Sequence, residues 1–172
     1  GDIMSKNLSN MSLEELWQLF PILLTEHKFY WENWYKDEKL HIERILHNEN
    51  IKRISHIGST CIDTIQAKPI IDILLETTKE CELNEIKKTL TENGYICMSE
   101  SIARMSFNKG YTESGFAEKL FHLHLRRFGD NDELYFRDYL MENKDIAKLY
   151  EKLKLDLSKR YENNRDAYTD SK

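Results

Sequence analysis

At 172 residues the chain has the length of one domain, and 1–172 is expected to fold as a single unit around one core. Hydrophobic residues make up 40% and charged residues 32%, with two prolines and six glycines, which excludes collagen-like, low-complexity and disordered classes. Lys plus Arg number 25 against 30 Asp plus Glu; the net charge of −5 disfavours sequence-independent DNA or RNA binding but leaves room for a local basic pocket that takes a small phosphorylated ligand.

The first segment reads as helix, opened by the capping box Ser12-Leu13-Glu14-Glu15 and continued by Leu16, Trp17 and Phe20 at helical spacing. A second helix is expected from about Glu26 to His47, with Phe29, Trp31, Trp34, Tyr35, Leu40, Ile42, Ile45 and Leu46 on a wide apolar face that packing explains. From Ile51 the texture changes to short β-branched runs. Strands are expected at Lys52 to Ile57, Ile70 to Glu76, Tyr95 to Cys97, Ala103 to Phe107 and Leu120 to Arg127. Between the second and third lies a helix over Glu82 to Asn93, with Leu83, Ile86 and Leu90 on one face and Gly94 as its C-terminal cap. Two helices follow Gly129, the first carrying Leu134, Tyr139 and Leu140, the second Ile146, Leu149, Tyr150, Leu153 and Leu157, with Asn143 as the cap between them. This order predicts an α+β fold, a mixed sheet backed by N- and C-terminal helices.

The three cysteines, Cys61, Cys81 and Cys97, show no CxxC spacing, so neither a disulfide framework nor a four-thiolate zinc site is readable, and a reducing cytoplasm is the expected location. The most apolar run, Leu16 to Leu24, is broken by Gln18 and Pro21 and falls short of the ~20 residues of a membrane span. Gly1-Asp2-Ile3 ahead of Met4 does not have the pattern of a signal peptide. No nucleic-acid motif, Walker loop or GxGxxG is present, so neither a nucleic acid nor a membrane is an expected partner.

The chemistry concentrates in His56-Ile57-Gly58-Ser59-Thr60 and, after a short loop, Lys68-Pro69-Ile70-Ile71-Asp72-Ile73-Leu74-Leu75-Glu76. A strand ending in Gly58-Ser59-Thr60 lets backbone amides and two hydroxyls approach a phosphate closely. Along the second strand Asp72, Leu74 and Glu76 share one face. A carboxylate amid such apolar residues is costly unless paired or bound to a cation, and from the residues alone a metal ligand stands level with a loop cap or an ion-pair partner of Lys68 at the strand end. His56 orients the glycine turn or is a buried histidine bonded to backbone. His122 and His124 alternate to one face of their strand and offer imidazoles to a transition metal or a proton. Lys68, Arg104, Lys109, Arg126 and Arg137 are the cations available to an anion pocket, with Lys109 and Arg127 better read as solvated surface. Arg137 and Asp138, adjacent on a helix, are expected to reach different partners. Lys152, Lys154 and Lys159, among Glu151 and Asp156, read as a solvated helix face.

Taken together, His56 to Thr60, Lys68 to Leu74, His122-Leu123-His124, Phe136-Arg137-Asp138-Tyr139-Leu140 and the tail bearing Ala147, Tyr150, Lys154, Tyr161, Tyr168 and Lys172 resemble the GrpB-like family over roughly residues 20 to 172. That family is assigned the nucleotidyltransferase superfamily fold. The resemblance implies a Gly58-Ser59 turn under a triphosphate, with Thr60, Lys68, Arg104 and Arg137 around it, and Asp72 as the first metal-binding acid. The second acid of that pattern falls at Leu74. Glu76 is one strand step, about 7 Å, further on, so His122 and His124 are expected to complete the catalytic and metal set. A mixed Asp and His set favours manganese or zinc over magnesium. The implied activity is metal-dependent transfer of a nucleotidyl group from a nucleoside triphosphate to a small acceptor. The alternative is a non-catalytic module for a nucleotide or a coenzyme A-related ligand, since some relatives are joined to a dephospho-coenzyme A kinase domain.

Overall fold

The structure, a computed structural model, describes residues 24–112 and 114–160. The first expected helix and the tyrosine-bearing tail beyond 160 lie outside the described residues. The elements in chain order are α1 (Trp31–Ile45), β1 (Ile51–Ile57), β2 (Ile71–Thr77), α2 (Leu83–Glu92), β3 (Ile96–Glu100), β4 (Arg104–Thr112), β5 (Gly115–Arg127), α3 (Asp132–Glu142) and α4 (Lys144–Arg160). The sheet order is β1-β2-β5-β4-β3, with β2 parallel to β5 and every other neighbouring pair antiparallel. The fold is therefore α+β around a mixed sheet, as expected.

The strict alternation on β2 divides the molecule. Ile71, Ile73 and Leu75 face the main core, where they meet Leu123 and Leu125 of β5, Trp31 and Ile42 of α1, and Leu83, Ile86 and Leu90 of α2. Asp72, Leu74 and Glu76 project to the other side. There Leu74 packs with Ile57 and Leu134 of α3, and Ile62 and Ile65 pack with Leu140 and Ala147 where α3 meets α4. This strand face is thus roofed by the two C-terminal helices.

Two elements depart from the sequence expectation. Helix α1 begins five residues late, because Thr25 instead pairs with Ala67 in an isolated antiparallel bridge, and this leaves Phe29 84% exposed. The β4–β5 hairpin is far longer than its apolar runs, extending through Asn108 to Thr112 and back from Gly115. Charges and glycines make this stretch look like loop, yet the ladder absorbs them with an irregularity between Lys109 and Tyr111. Gly110 sits there at φ +98°, and a Cβ would stand 2.2 Å from the Lys119 carbonyl oxygen, so only glycine fits. Among the described residues no helix is long and apolar enough to cross a membrane.

Candidate functional site

β1 and β2 pair so that Ile57 stands opposite Asp72, which puts the Gly58 turn over the Asp72 carboxylate. Gly58 adopts φ 78°, ψ −172°, a conformation open to glycine, and a Cβ there would lie 2.6 Å from Asp72 Oδ2. The glycine is required by the protein's own acid. His56 and Thr60 brace the turn from behind: His56 Nε2 is 2.9 Å from Thr60 Oγ1 and its ring stacks on Tyr35. Both side chains are buried, so Thr60 lends its hydroxyl to the turn, while Ser59 carries the hydroxyl that meets the cavity. Cys61 donates its thiol to the Gly58 carbonyl at 2.9 Å, and burial pushes its pKa up to about 12, which removes it as a nucleophile.

The parallel register sets Asp72 beside His122 and Leu74 beside His124. The three chemical side chains gather round one oxygen: Asp72 Oδ1 lies 3.8 Å from His122 Nδ1 and 3.4 Å from His124 Nε2. His122 Nε2 is taken by the Tyr111 hydroxyl at 2.7 Å, and burial raises the Tyr111 pKa. Yet no group of three or more His, Cys, Asp or Glu side chains among the described residues could hold a metal ion. The strand offers no replacement acid either. Leu74 is fully buried among apolar side chains, and Glu76, also fully buried, takes Arg53 Nε at 2.8 Å, the Gly129 amide at 3.1 Å and Asn131 Nδ2 at 3.2 Å. Glu76 serves the turn between β5 and α3.

The cations sort themselves by geometry. A cavity of about 290 Å³ is lined by Gly58, Ser59, Thr60, Lys68, Asp72, His122 and, from α4, Tyr150 and Lys154. Lys154 is buried and donates to Ser59 Oγ at 2.6 Å, with its ammonium 5.3 Å from the Tyr150 ring centroid. This corrects the reading of Lys154 as solvated surface. The signal was available: Ala147, Tyr150, Lys154 and Leu157 form one stripe of α4, and a lysine on a buried stripe is unusual. Arg137 stands behind the turn, donating to the His56 carbonyl at 3.1 Å, and its Nε also reaches Asp138 Oδ1 at 2.9 Å. That adjacent pair meets, contrary to expectation, because the long arginine bends back across the helix surface. Arg104 is not brought to the site; it makes a double contact with Asp130, both at 2.7 Å. Lys109 pairs with buried Glu38, and Arg127 donates to the Lys79 and Cys81 carbonyls, so neither is free surface.

A second cavity of about 240 Å³ shares Gly58, Ser59, Asp72 and Tyr150 with the first and adds His124, Glu133, Phe136 and Arg137. Glu133, which sequence reasoning did not single out, takes Arg126 Nη1 at 2.7 Å. Burial works to raise its pKa, but the Arg126 bond, its own backbone amide and the His124 charge outweigh this and hold it below the usual carboxylate range. A larger space of about 620 Å³ opens on the other side of the turn near His56 and Arg137, and contains neither Lys154 nor Asp72.

His56 supplies a pH-dependent term in stability. Burial, partly opposed by the Asp72 charge, pushes its pKa down to about 4 from 6.5. The folded state therefore binds this proton less tightly than the unfolded chain, so stability is full above the unfolded value and is lost as the pH falls toward 4. The loss amounts to roughly 3 kcal/mol. Urea titrations at pH 7 and pH 4.5 should show a smaller acid penalty in His56→Gln than in the parent; an equal penalty in both would assign the acid sensitivity elsewhere.

A family model described as GrpB protein matches residues 21–172. The Glutamate-rich protein GrpB of Alkalihalophilus pseudofirmus is 36% identical over 88% of this chain and 89% of its own length. The YqkA protein of Bacillus subtilis is 31% identical over 93% of this chain, which spans 47% of that longer protein. Among solved structures, GrpB from Enterococcus faecalis aligns with a TM-score of 0.73 at 30% identity, covering 85% of this chain and 88% of that one. The Cid1 poly(U) polymerase, solved with Mg and 3′-dATP bound, aligns with a TM-score of 0.54 at 10% identity over 80% of this chain and 43% of its own, which makes the sheet one of nucleotidyltransferase type. The chain belongs to the GrpB family.

Proposed function

We propose that this protein binds a nucleoside triphosphate in the first cavity, its phosphates resting against the Gly58–Ser59 turn with Lys154 and Lys68 beside them. The observation that carries this reading is the buried Lys154 ammonium held 2.6 Å from Ser59 Oγ at the mouth of a glycine turn. A charge-assisted contact from an ammonium to phosphate is short and strong, and the Ser59 hydroxyl beside Lys154 is already oriented to join it. Cid1, which shares the fold, was solved with 3′-dATP and Mg bound, and this supports a nucleotide here.

The geometry favours binding over two-metal transfer. Asp72 is the one carboxylate of its strand face available to the phosphate cavity, since Leu74 is apolar and Glu76 is consumed. Magnesium is commonly held by one or two carboxylates together with substrate phosphates, so in this reading the ion arrives as part of the triphosphate and meets Asp72 alone. One observation keeps nucleotidyl transfer to a small acceptor as the second reading. Two cavities meet at Asp72, one on the Lys154 side and one on the Glu133 side.

Calorimetric titration of ATP with magnesium into the parent and Lys154→Met tests the binding reading. The variant keeps the apolar stem and should bind at least tenfold more weakly while melting within a few degrees of the parent. Unchanged affinity would remove the triphosphate from this cavity. Pyrophosphate release in the same mixture separates the two readings.

A further inference from the structure

The β4–β5 hairpin brings to the site a side chain that a regular ladder would turn away. Ser106 stands opposite His124 and Asn108 opposite His122, so these positions of β4 share the site face with the two histidines, while Met105 and Phe107 face the main core. Tyr111, three residues past Asn108, would by strict alternation follow Met105 and Phe107 to the core face. The irregularity between Lys109 and Tyr111 reverses this. The Tyr111 hydroxyl reaches His122 Nε2 at 2.7 Å, and the two rings stack with centroids 5.5 Å apart. Gly110, at φ +98° and with the Lys119 carbonyl where a Cβ would stand, lets the strand make the step. Re-aiming a side chain is what such irregularities do beside functional sites.

The two nitrogens of His122 face unlike partners. Nε2 meets a hydroxyl, which can donate or accept, whereas Nδ1 faces Asp72 Oδ1 at 3.8 Å, and an ionised carboxylate only accepts. A neutral imidazole has one ring proton to place. On Nε2 it would leave the Nδ1 lone pair facing an anion; on Nδ1 it gives both nitrogens a favourable contact, with Tyr111 as donor. Burial raises the Tyr111 pKa, so the hydroxyl keeps the proton it shares.

We propose that Tyr111 is a positioning residue of the first cavity: its hydroxyl donates to His122 Nε2, keeps the ring proton on Nδ1, and so turns an N–H donor toward Asp72 and toward a phosphate oxygen beside Ser59. His122, Asp72 and Ser59 all line that cavity. The tautomer stands on the Tyr111–His122–Asp72 geometry, while its use toward phosphate rests on the nucleotide reading given above.

The test is a long-range proton–nitrogen NMR correlation on the full chain with isotope-labelled histidine at neutral pH, in the parent and in Tyr111→Phe, with His122→Gln to assign the signals. The parent should carry the His122 proton on Nδ1, and in Tyr111→Phe a form protonated on Nε2 should appear beside it. A parent with the proton on Nε2, or on both nitrogens, overturns the proposal whether or not Tyr111→Phe folds. The same tautomer, undiminished, in a folded Tyr111→Phe also overturns it. ATP with magnesium should move the His122 Nδ1 signal of the parent and bind Tyr111→Phe roughly three- to tenfold more weakly, the scale of one hydrogen bond. ATP that binds the parent without moving that signal, or binds both proteins equally, overturns the donor role. No ATP binding to a parent whose proton is on Nδ1 sinks the nucleotide reading alone.

Discussion

Gly58→Ala should lower both stability and triphosphate affinity. The backbone at φ 78°, ψ −172° is strained for any residue with a Cβ, at a cost of about 1–3 kcal/mol. The added carbon also meets Asp72 Oδ2 at 2.6 Å, and Asp72 Cβ and Cγ at 3.1 Å, so the carboxylate must turn away or the turn must lift off β2. Either movement disturbs the Ser59–Lys154 contact one residue on. The melting temperature should fall by roughly 2–12 °C, on the scale of 2–4 °C per kcal/mol for a chain of this size. ATP affinity should fall at least tenfold at a temperature where the variant is still folded. A large stability loss with unchanged ATP affinity would confine this glycine to a structural role.

Asp72→Asn should act in opposite directions depending on magnesium. The carboxylate lines the same cavity as Lys154 and Lys68, and within a few ångströms of a bound phosphate its charge repels. Removing that charge should strengthen ATP binding in chelator by about tenfold, or ~1.4 kcal/mol. With magnesium the order reverses, because the parent gains affinity from an ion bridging Asp72 and phosphate and the variant does not. The weak 3.4 Å contact to His124 and the 3.8 Å approach of His122 give Asp72 little structural work, so stability in chelator should equal or exceed that of the parent. Calorimetry with and without magnesium, beside a thermal melt, checks all three. An early melt in chelator would make Asp72 an ion-pair residue of the fold.

The sequence was most readable where a single period dominated. Helix α2 and strands β1 and β2 fall within a residue or so of their expected bounds, because Leu83, Ile86 and Leu90, or the alternating run around Asp72, bury one uninterrupted face. The β4–β5 hairpin was hidden by Lys109, Gly110 and Lys119, whose polar character says loop while the cross-strand ladder says otherwise. The site was legible in its strand-borne parts. Asp72, His122 and His124 meet because two parallel strands in register must set them side by side. What escaped came from α3 and α4, since local pattern does not reveal which face of a C-terminal helix roofs the sheet. Lys154 and Glu133 look like ordinary helix-surface charges until α4 is laid on the Gly58 turn and α3 beside His124. Arg104 was drawn into the site by resemblance, while its geometry commits it to Asp130.

A crystal structure of the full chain grown with magnesium and a non-hydrolysable ATP analogue reads the placement of the triphosphate directly. A phosphate oxygen should stand within hydrogen-bond distance of both Ser59 Oγ and Lys154 Nζ, with the magnesium between that triphosphate and Asp72. A triphosphate seated elsewhere, or the first cavity left without it at saturating analogue, would rule out nucleotide binding at the Gly58–Ser59 turn.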